Sequence, residues 1–303
     1  MFFSLKLERK VTPMTEKKED VPEIKPSPTL ERRAQQMELQ QKIDASMARI
    51  KHKIAIISGK GGVGKTTIAA NLAVKFAESG GSTGALDIDI TGPTLHKLLD
   101  IGITTPEVDP FTKTIIPVRG PFNIKVMSTA FLLPDEITPV IWRGPMKMGV
   151  LRDYLGAVDW GDLEYLIIDL PPGTGDEVLD IMQLVKPLDG VIVVTTAQEL
   201  STTSVGKTIV MAEKMGVKVL GLVENMSVYK CTKCGHEERL FGAPDGANRL
   251  ARGLGVPYLG SIPFDPIAVQ QSVEHVPAIT QHQDSPAKQA FNDIYKKIND
   301  QIH

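Results

Sequence analysis

Residues Ser58 to Thr67 read SGKGGVGKTT. Gly59, Gly64, Lys65 and Thr66 satisfy G-x-x-x-x-G-K-[ST], the spacing of a loop that cradles phosphate. Glycines at 59, 61, 62 and 64 let backbone N–H groups approach phosphate oxygens with no Cβ in the way. A helix opening near Lys65 adds the positive end of its dipole. In this pattern Lys65 reaches the β- and γ-phosphates of ATP and the Thr66 hydroxyl ligates Mg2+. Val63 and Thr67 complete the run expected to surround the nucleotide. A chance Gly-rich turn is the bland alternative, but an apolar run before the loop and a helical run after it supply the context the motif requires. Lys60 is surplus, since one lysine suffices for this chemistry.

Carboxylates follow in two places. LDIDITGPT puts Asp87 and Asp89 at the end of an apolar run, where carboxylates meet Mg2+ and an attacking water. YLIIDLPPGTGDE ends another apolar run in Asp169, the position that typically holds Mg2+ through a water. The PPGTGD turn after it is stiffened by Pro171 and Pro172, with Gly173 and Gly175 as pivots. Asp87 and Asp176 also suit turn or helix-cap roles.

YKCTKCGHE holds the chain's two cysteines, Cys231 and Cys234, as C-x-x-C. A redox dithiol, half a zinc site and half an iron–sulfur site compete for it. The redox form normally follows the first strand of a βα unit and opens a helix, whereas this pair sits late, in a polar stretch. Two thiolates under-ligate a zinc ion or a cluster, which usually take four protein ligands. His236 offers a third ligand to zinc. A two-fold dimer would supply four thiolates from two copies.

These residues need a frame. Apolar runs such as KIAIIS, TGALDID, IKVMST, EYLIIDL, DGVIVVTTA and VKVLGLVEN alternate with helical runs such as TTIAANLAVKFAES and TTSVGKTIVMAEKMG. That order predicts an α/β fold: a mostly parallel twisted sheet with helices on both faces. Ligands in such sheets bind beyond the carboxyl ends of the strands, where every motif above falls. Residues 1–28 read as a disordered polar tail. Residues 29–52 read as a leader helix with Leu30, Met37, Leu39, Ile43 and Met47 spaced for a stripe, and 53–303 as the ATPase domain.

Thirty-four basic against thirty-six acidic residues give a formal charge of -2, with no strong nucleic-acid footprint. No apolar run approaches the roughly 20 residues of a membrane span. The first residues lack a secretory h-region, and Met14 offers an equally plausible start. With two cysteines and no disulfide framework, a cytoplasmic protein is expected.

With Lys60 included, KGGVGKTT resembles the deviant Walker A loop of the family containing the nitrogenase iron protein, MinD and ParA. The resemblance implies that Lys60 crosses to the nucleotide of a facing subunit, where a delivered cation stabilises transition-state charge. A plain exposed loop lysine is the alternative. The resemblance also places Asp89 at switch I, orienting the attacking water, so Lys60, Lys65 and Asp89 form the catalytic set. It assigns Asn225 of LVENMS to the adenine edge, and Pro263 and Asp265 of SIPFDP to the base.

The order SGKGGVGKTT, DIDITGPT, WRGPM, IDLPPGTGDE, VENMS, C-x-x-C, SIPFDP, from about residue 52 to 275, is similar to Mrp-type iron–sulfur cluster carrier ATPases. The resemblance implies a homodimer holding a labile 4Fe–4S cluster between Cys231 and Cys234 of two copies. It further implies ATP and Mg2+, slow dimer-dependent hydrolysis, and transfer to apo-protein clients. The four-cysteine N-terminal motif of the eukaryotic scaffolds is missing, so only the bridging cluster is expected. The rival is a MinD- or ParA-like positioning ATPase with a structural zinc at the C-x-x-C. MinD-like proteins end in a basic amphipathic membrane helix. SPAKQAFNDIYKKINDQIH instead puts Ala287, Ala290, Phe291, Ile294, Ile298 and Ile302 on one face with only three lysines, which fits core docking. Neither nucleic acid nor membrane is expected as a partner.

Overall fold

Ile54, Ala55, Ile56 and Ile57 are all fully buried, yet they feed two different cores. Successive strand residues point to opposite faces, so Ile54 and Ile56 pack with one cluster and Ala55 and Ile57 with the other. Only a sheet covered on both sides demands such a run. The computed structural model describes residues 28–132, 144–198, 203–231, 234–239, 242–243, 245–264 and 285–303. The chain divides into Met1–Met37 and Glu38–His303, and the account below concerns the second unit.

The strands are β1 (Ile50–Ser58), β2 (Thr83–Asp87), β3 (Val118–Arg119), β4 (Lys125–Ser128), β5 (Leu163–Asp169), β6 (Gly190–Thr196), β7 (Val219–Asn225), β8 (Tyr229–Lys230), β9 (Glu237–Glu238) and β10 (Tyr258–Ser261). The α-helices are α1 (Pro28–Ala48), α2 (Lys65–Glu78), α3 (Leu95–Leu98), α4 (Gly144–Ala157), α5 (Asp176–Leu184), α6 (Thr203–Lys214), α7 (Gly246–Gly253) and α8 (Pro286–Ile302). Eight strands form one sheet in the order β10-β7-β6-β1-β5-β2-β4-β3. Every pairing in it is parallel except β3 with β4 at the edge. The expected doubly covered parallel sheet is present. β1 lies between β5 and β6; the helix after β1 covers one face and the helix after β5 the other, the arrangement that opens a crevice at the carboxyl ends.

α2 and α8 pack on the face of Ile54 and Ile56; α4, α5 and α6 pack on the other. α8 is capped by Ser285, whose hydroxyl accepts the Lys288 N–H at 3.0 Å. Its Ala287, Phe291, Ile294 and Ile298 are buried and Ala290 and Ile302 pack beside them, so the apolar face is used by the core. Among the described residues no helix is long and apolar enough to cross a membrane.

Two details differ from the sequence expectation. The first strand starts at Ile50 rather than Lys53, because Ile50 already pairs with Leu163. Lys53 is itself buried, with Nζ donating to Met47 O at 3.1 Å and Ile50 O at 2.9 Å. Burial lowers its pKa. In the leader helix, Ile43 and Met47 enter the core and Leu39 packs against it, while Met37 is 65% exposed. Residues 39, 43 and 47 are four apart and share a face; residue 37 is off that line.

Candidate functional site

The loop between β1 and α2 wraps a cleft of about 500 Å³. Lys60, Gly61, Gly62, Gly64, Lys65, Thr66 and Thr67 line it. Gly59 and Val63 do not. Gly59 is pressed on α6, where a Cβ would stand 2.8 Å from Ser204 Cβ, and Val63 is buried in the core beside α2. Gly64 has φ +81, and a Cβ there would fall 2.2 Å from Asn225 Nδ2. Both constraints make any side chain there costly. Gly64→Ala is therefore expected to lose about 1–2 kcal/mol from the left-handed backbone alone, and to displace Asn225 as well. Thermal unfolding with a nucleotide titration checks this; unchanged melting and affinity would show that the loop tolerates another conformation.

Two carboxylates lie beneath the loop. β2 and β5 pair with Asp87 opposite Asp169, and both side chains are wholly buried. Lys65 Nζ makes an ion pair with Asp169 Oδ1, and the Thr66 hydroxyl donates to Asp169 Oδ2 at 2.6 Å. Asp87 accepts the Asp89 N–H on Oδ1 and the Leu95 N–H on Oδ2, both at 3.1 Å. Burial first, and then the charge on Asp169, push the Asp87 carboxyl up to about 8. Burial also raises Asp169, against the pull of Lys65 and Thr66. Two buried carboxylates beside a hydroxyl make a hard oxygen donor set, which suits Mg2+. Thr66, Asp169 and Asp87 are the residues that fit it.

Asp89 stands on the far wall of the cleft, its carboxylate accepting from Thr91 N at 3.0 Å and Thr91 Oγ at 2.6 Å. Gly173 N–H donates to Ser58 O at 2.8 Å, fastening the turn after β5 to the strand that enters the loop. That turn also brings Pro172 to the cleft. Lys97, Thr94 and Met226 line the cleft too and were missed from the sequence. The closeness of Thr94 and Lys97 to Asp89 along the chain was the available signal; Met226 directly follows Asn225.

The residues assigned to the base are placed unevenly. Asn225 ends β7 and is buried, and its Nδ2 donates to Val63 O at 3.0 Å. That contact holds the phosphate loop from behind. Pro263 follows β10, where Ile262 bonds to Glu224 and Ser227, and it is not among the cleft residues. Asp265 and Trp142-Arg143 of WRGPM lie outside the described residues.

β8 and β9 form a small antiparallel hairpin that carries the cysteines. Cys231 N–H donates to His236 O, and Gly235 N–H to Cys231 O, both at 2.8 Å. Cys231 is half-buried, Cys234 is exposed, and neither is in a disulfide. Among the described residues no group of three or more His, Cys, Asp or Glu is placed to hold a metal ion, so His236 does not complete a set with the two thiols. After β9, Arg239 Nη1 meets the buried Glu224 of β7 at 2.8 Å.

Residues 49–299 match the family described as ParA: NUBPL iron-transfer P-loop NTPase. The chain belongs to this family. The chain is 44% identical to the iron-sulfur cluster carrier protein of Methanocaldococcus jannaschii over 86% of its own length and 88% of the relative's. The carrier protein of Saccharolobus solfataricus is likewise 44% identical, over 85% of this chain and 86% of that one. A nucleotide-binding protein of Archaeoglobus fulgidus, solved with ADP and described with cobalt, superposes with a TM-score of 0.68 at 39% identity, covering 78% of this chain and 91% of that one. The cell division ATPase MinD of Pyrococcus furiosus superposes with a TM-score of 0.60 at 23% identity, covering 82% and 99%. That last likeness is one of fold alone. As a member of a P-loop NTPase family, the chain places its nucleotide loop where such folds act.

Proposed function

We propose that this protein is an ATP-dependent iron–sulfur cluster carrier. Two copies hold one labile 4Fe–4S cluster as cargo through Cys231 and Cys234 of each, and pass it to apo-proteins. The observation that carries this is the cysteine hairpin. It presents two thiols at the surface, one of them exposed, with no third ligand of its own among the described residues. Thiolates are good iron ligands, and four per cluster is the usual number. The carrier relatives and the iron-transfer family support the same reading.

In this proposal the loop from Gly59 to Thr67 binds ATP, its cleft-lining residues facing the phosphates and Gly59 and Val63 anchoring it from behind, with Lys65 moving from Asp169 to the β- and γ-phosphates. Thr66, Asp87 and Asp169 would hold Mg2+, which when bound would supply charge neutralisation for the phosphates. Asp89 orients a water whose oxygen attacks the γ-phosphorus. The bond from that phosphorus to the β–γ bridging oxygen breaks, and the water proton passes to Asp89 or solvent. Lys60 of a facing copy stabilises the charge spread over the transferring group, so hydrolysis is slow until two copies meet. Asn225, Pro263 and Asp265 complete the base end.

Cluster transfer tests the whole. Cluster-loaded protein is expected to activate an apo iron–sulfur enzyme faster than equal free iron and sulfide. Activation at the same rate as the free ions would refute carrier function even with a bound cluster.

A further inference from the structure

Asp87 has a third donor, and it comes from the neighbouring strand. β2 and β4 pair with Asp87 opposite Ser128. Ser128 is wholly buried, and its hydroxyl donates to Asp87 Oδ2 at 3.2 Å. Ser128 Oγ itself accepts the Ala130 N–H at 3.2 Å. A hydroxyl has one hydrogen and two lone pairs, so the Ala130 contact turns the hydrogen toward the carboxylate. Ser128 is fixed in turn: the buried Tyr154 of α4 donates its phenol proton to Ser128 O at 2.8 Å. Burial, and then the charge of Asp87, push the Tyr154 phenol well above its ordinary value, so it stays a donor. Leu95 and Ser128 thus hold Oδ2, while Oδ1 takes only the Asp89 N–H among these contacts and keeps lone pairs open.

We propose that Ser128 and Tyr154 are positioning residues that aim the Asp87 carboxylate at the Mg2+ site. The assignment rests on Asp87 being a metal ligand, as in the proposed function. Partners behind a ligating carboxylate typically set metal affinity by about 10- to 100-fold. Neither residue touches nucleotide in this role, so metal-free nucleotide binding should not depend on them.

The test is Mn2+ binding to the full-length ADP complex, followed by electron paramagnetic resonance, with ADP affinity in EDTA measured beside it. Ser128→Ala is expected to weaken Mn2+ by about 10-fold or more and leave ADP affinity in EDTA unchanged. Tyr154→Phe should weaken Mn2+ less, and Ser128→Thr, which keeps the hydroxyl, should restore it. Unchanged Mn2+ affinity in Ser128→Ala would overturn the proposal. So would an equal loss of ADP affinity in EDTA, since that marks general damage to the fold. Asp87→Asn separates the two levels. If it weakens Mn2+ while Ser128→Ala does not, the positioning role alone fails; if it too leaves Mn2+ unchanged, the metal-ligand reading beneath it fails.

Discussion

Lys60→Ala is expected to leave ATP affinity within about fivefold of the wild type, since removing an exposed charge typically costs up to about 1 kcal/mol. Turnover should nevertheless fall by about 10³-fold or more, the range for a cation delivered in trans to a transferring phosphoryl group. The geometry supports this separation. Lys65 lies buried against Asp169 beneath the loop, in place to take the phosphates of its own chain. Lys60 lies exposed at the mouth of the same cleft. If Lys60 acts across a dimer, wild-type turnover per subunit should also rise with protein concentration, and the variant should lose that dependence. Steady-state phosphate release over a range of protein concentrations checks both. Wild-type-like turnover in Lys60→Ala would remove the trans role and leave Lys60 an ordinary loop lysine.

Cys231→Ser and Cys234→Ser are each expected to abolish stable cluster binding. Anaerobic reconstitution of the wild type should give about four irons and four sulfides per dimer, the content of a four-thiolate cluster. One substitution removes two of the four thiolates at once, because a two-fold assembly repeats every change. The hairpin pairing Tyr229 with Glu238 involves neither sulfur, so the fold should survive and the loss should be specific to the cargo. Iron, sulfide and zinc analysis with the visible absorption spectrum is the measurement. Stoichiometric zinc with no iron uptake would support the structural-zinc alternative.

How legible was all this in the sequence? The nucleotide loop was, because glycine spacing reports backbone freedom directly: Gly64 does sit at φ +81. The sheet was as well, since runs such as KIAIIS with both faces apolar have few other uses. What escaped depends on register between distant segments. Ser128 meets Asp87 across 41 residues of sequence, and nothing local to KVMST marks a serine behind a carboxylate. The hydrogen bond from Asn225 to Val63 O spans 162 residues, and nothing local to LVENMS marks an amide that holds the phosphate loop. Lys97 was passed over because a four-residue helix has too little periodicity to read. Met37 lies two residues from Leu39, off the line that 39, 43 and 47 share, a phase that loose apolar spacing does not resolve.

Glu224 and Asn225 are neighbours on β7, and neighbours on a strand project to opposite faces. Asn225 grips the phosphate loop through Val63, while Glu224 grips the arm of the cysteine hairpin through Arg239. One short length of backbone therefore touches both the phosphate loop and the arm of the cysteine hairpin, and could couple them. If filling the loop with nucleotide displaces that backbone and so alters how tightly the thiols keep their cargo, thermodynamic linkage requires the converse in equal measure. The loaded and empty carriers would then differ in nucleotide affinity by the same factor by which nucleotide changes cargo affinity. A single pair of titrations, with and without cluster, would read the load from the opposite end of the strand.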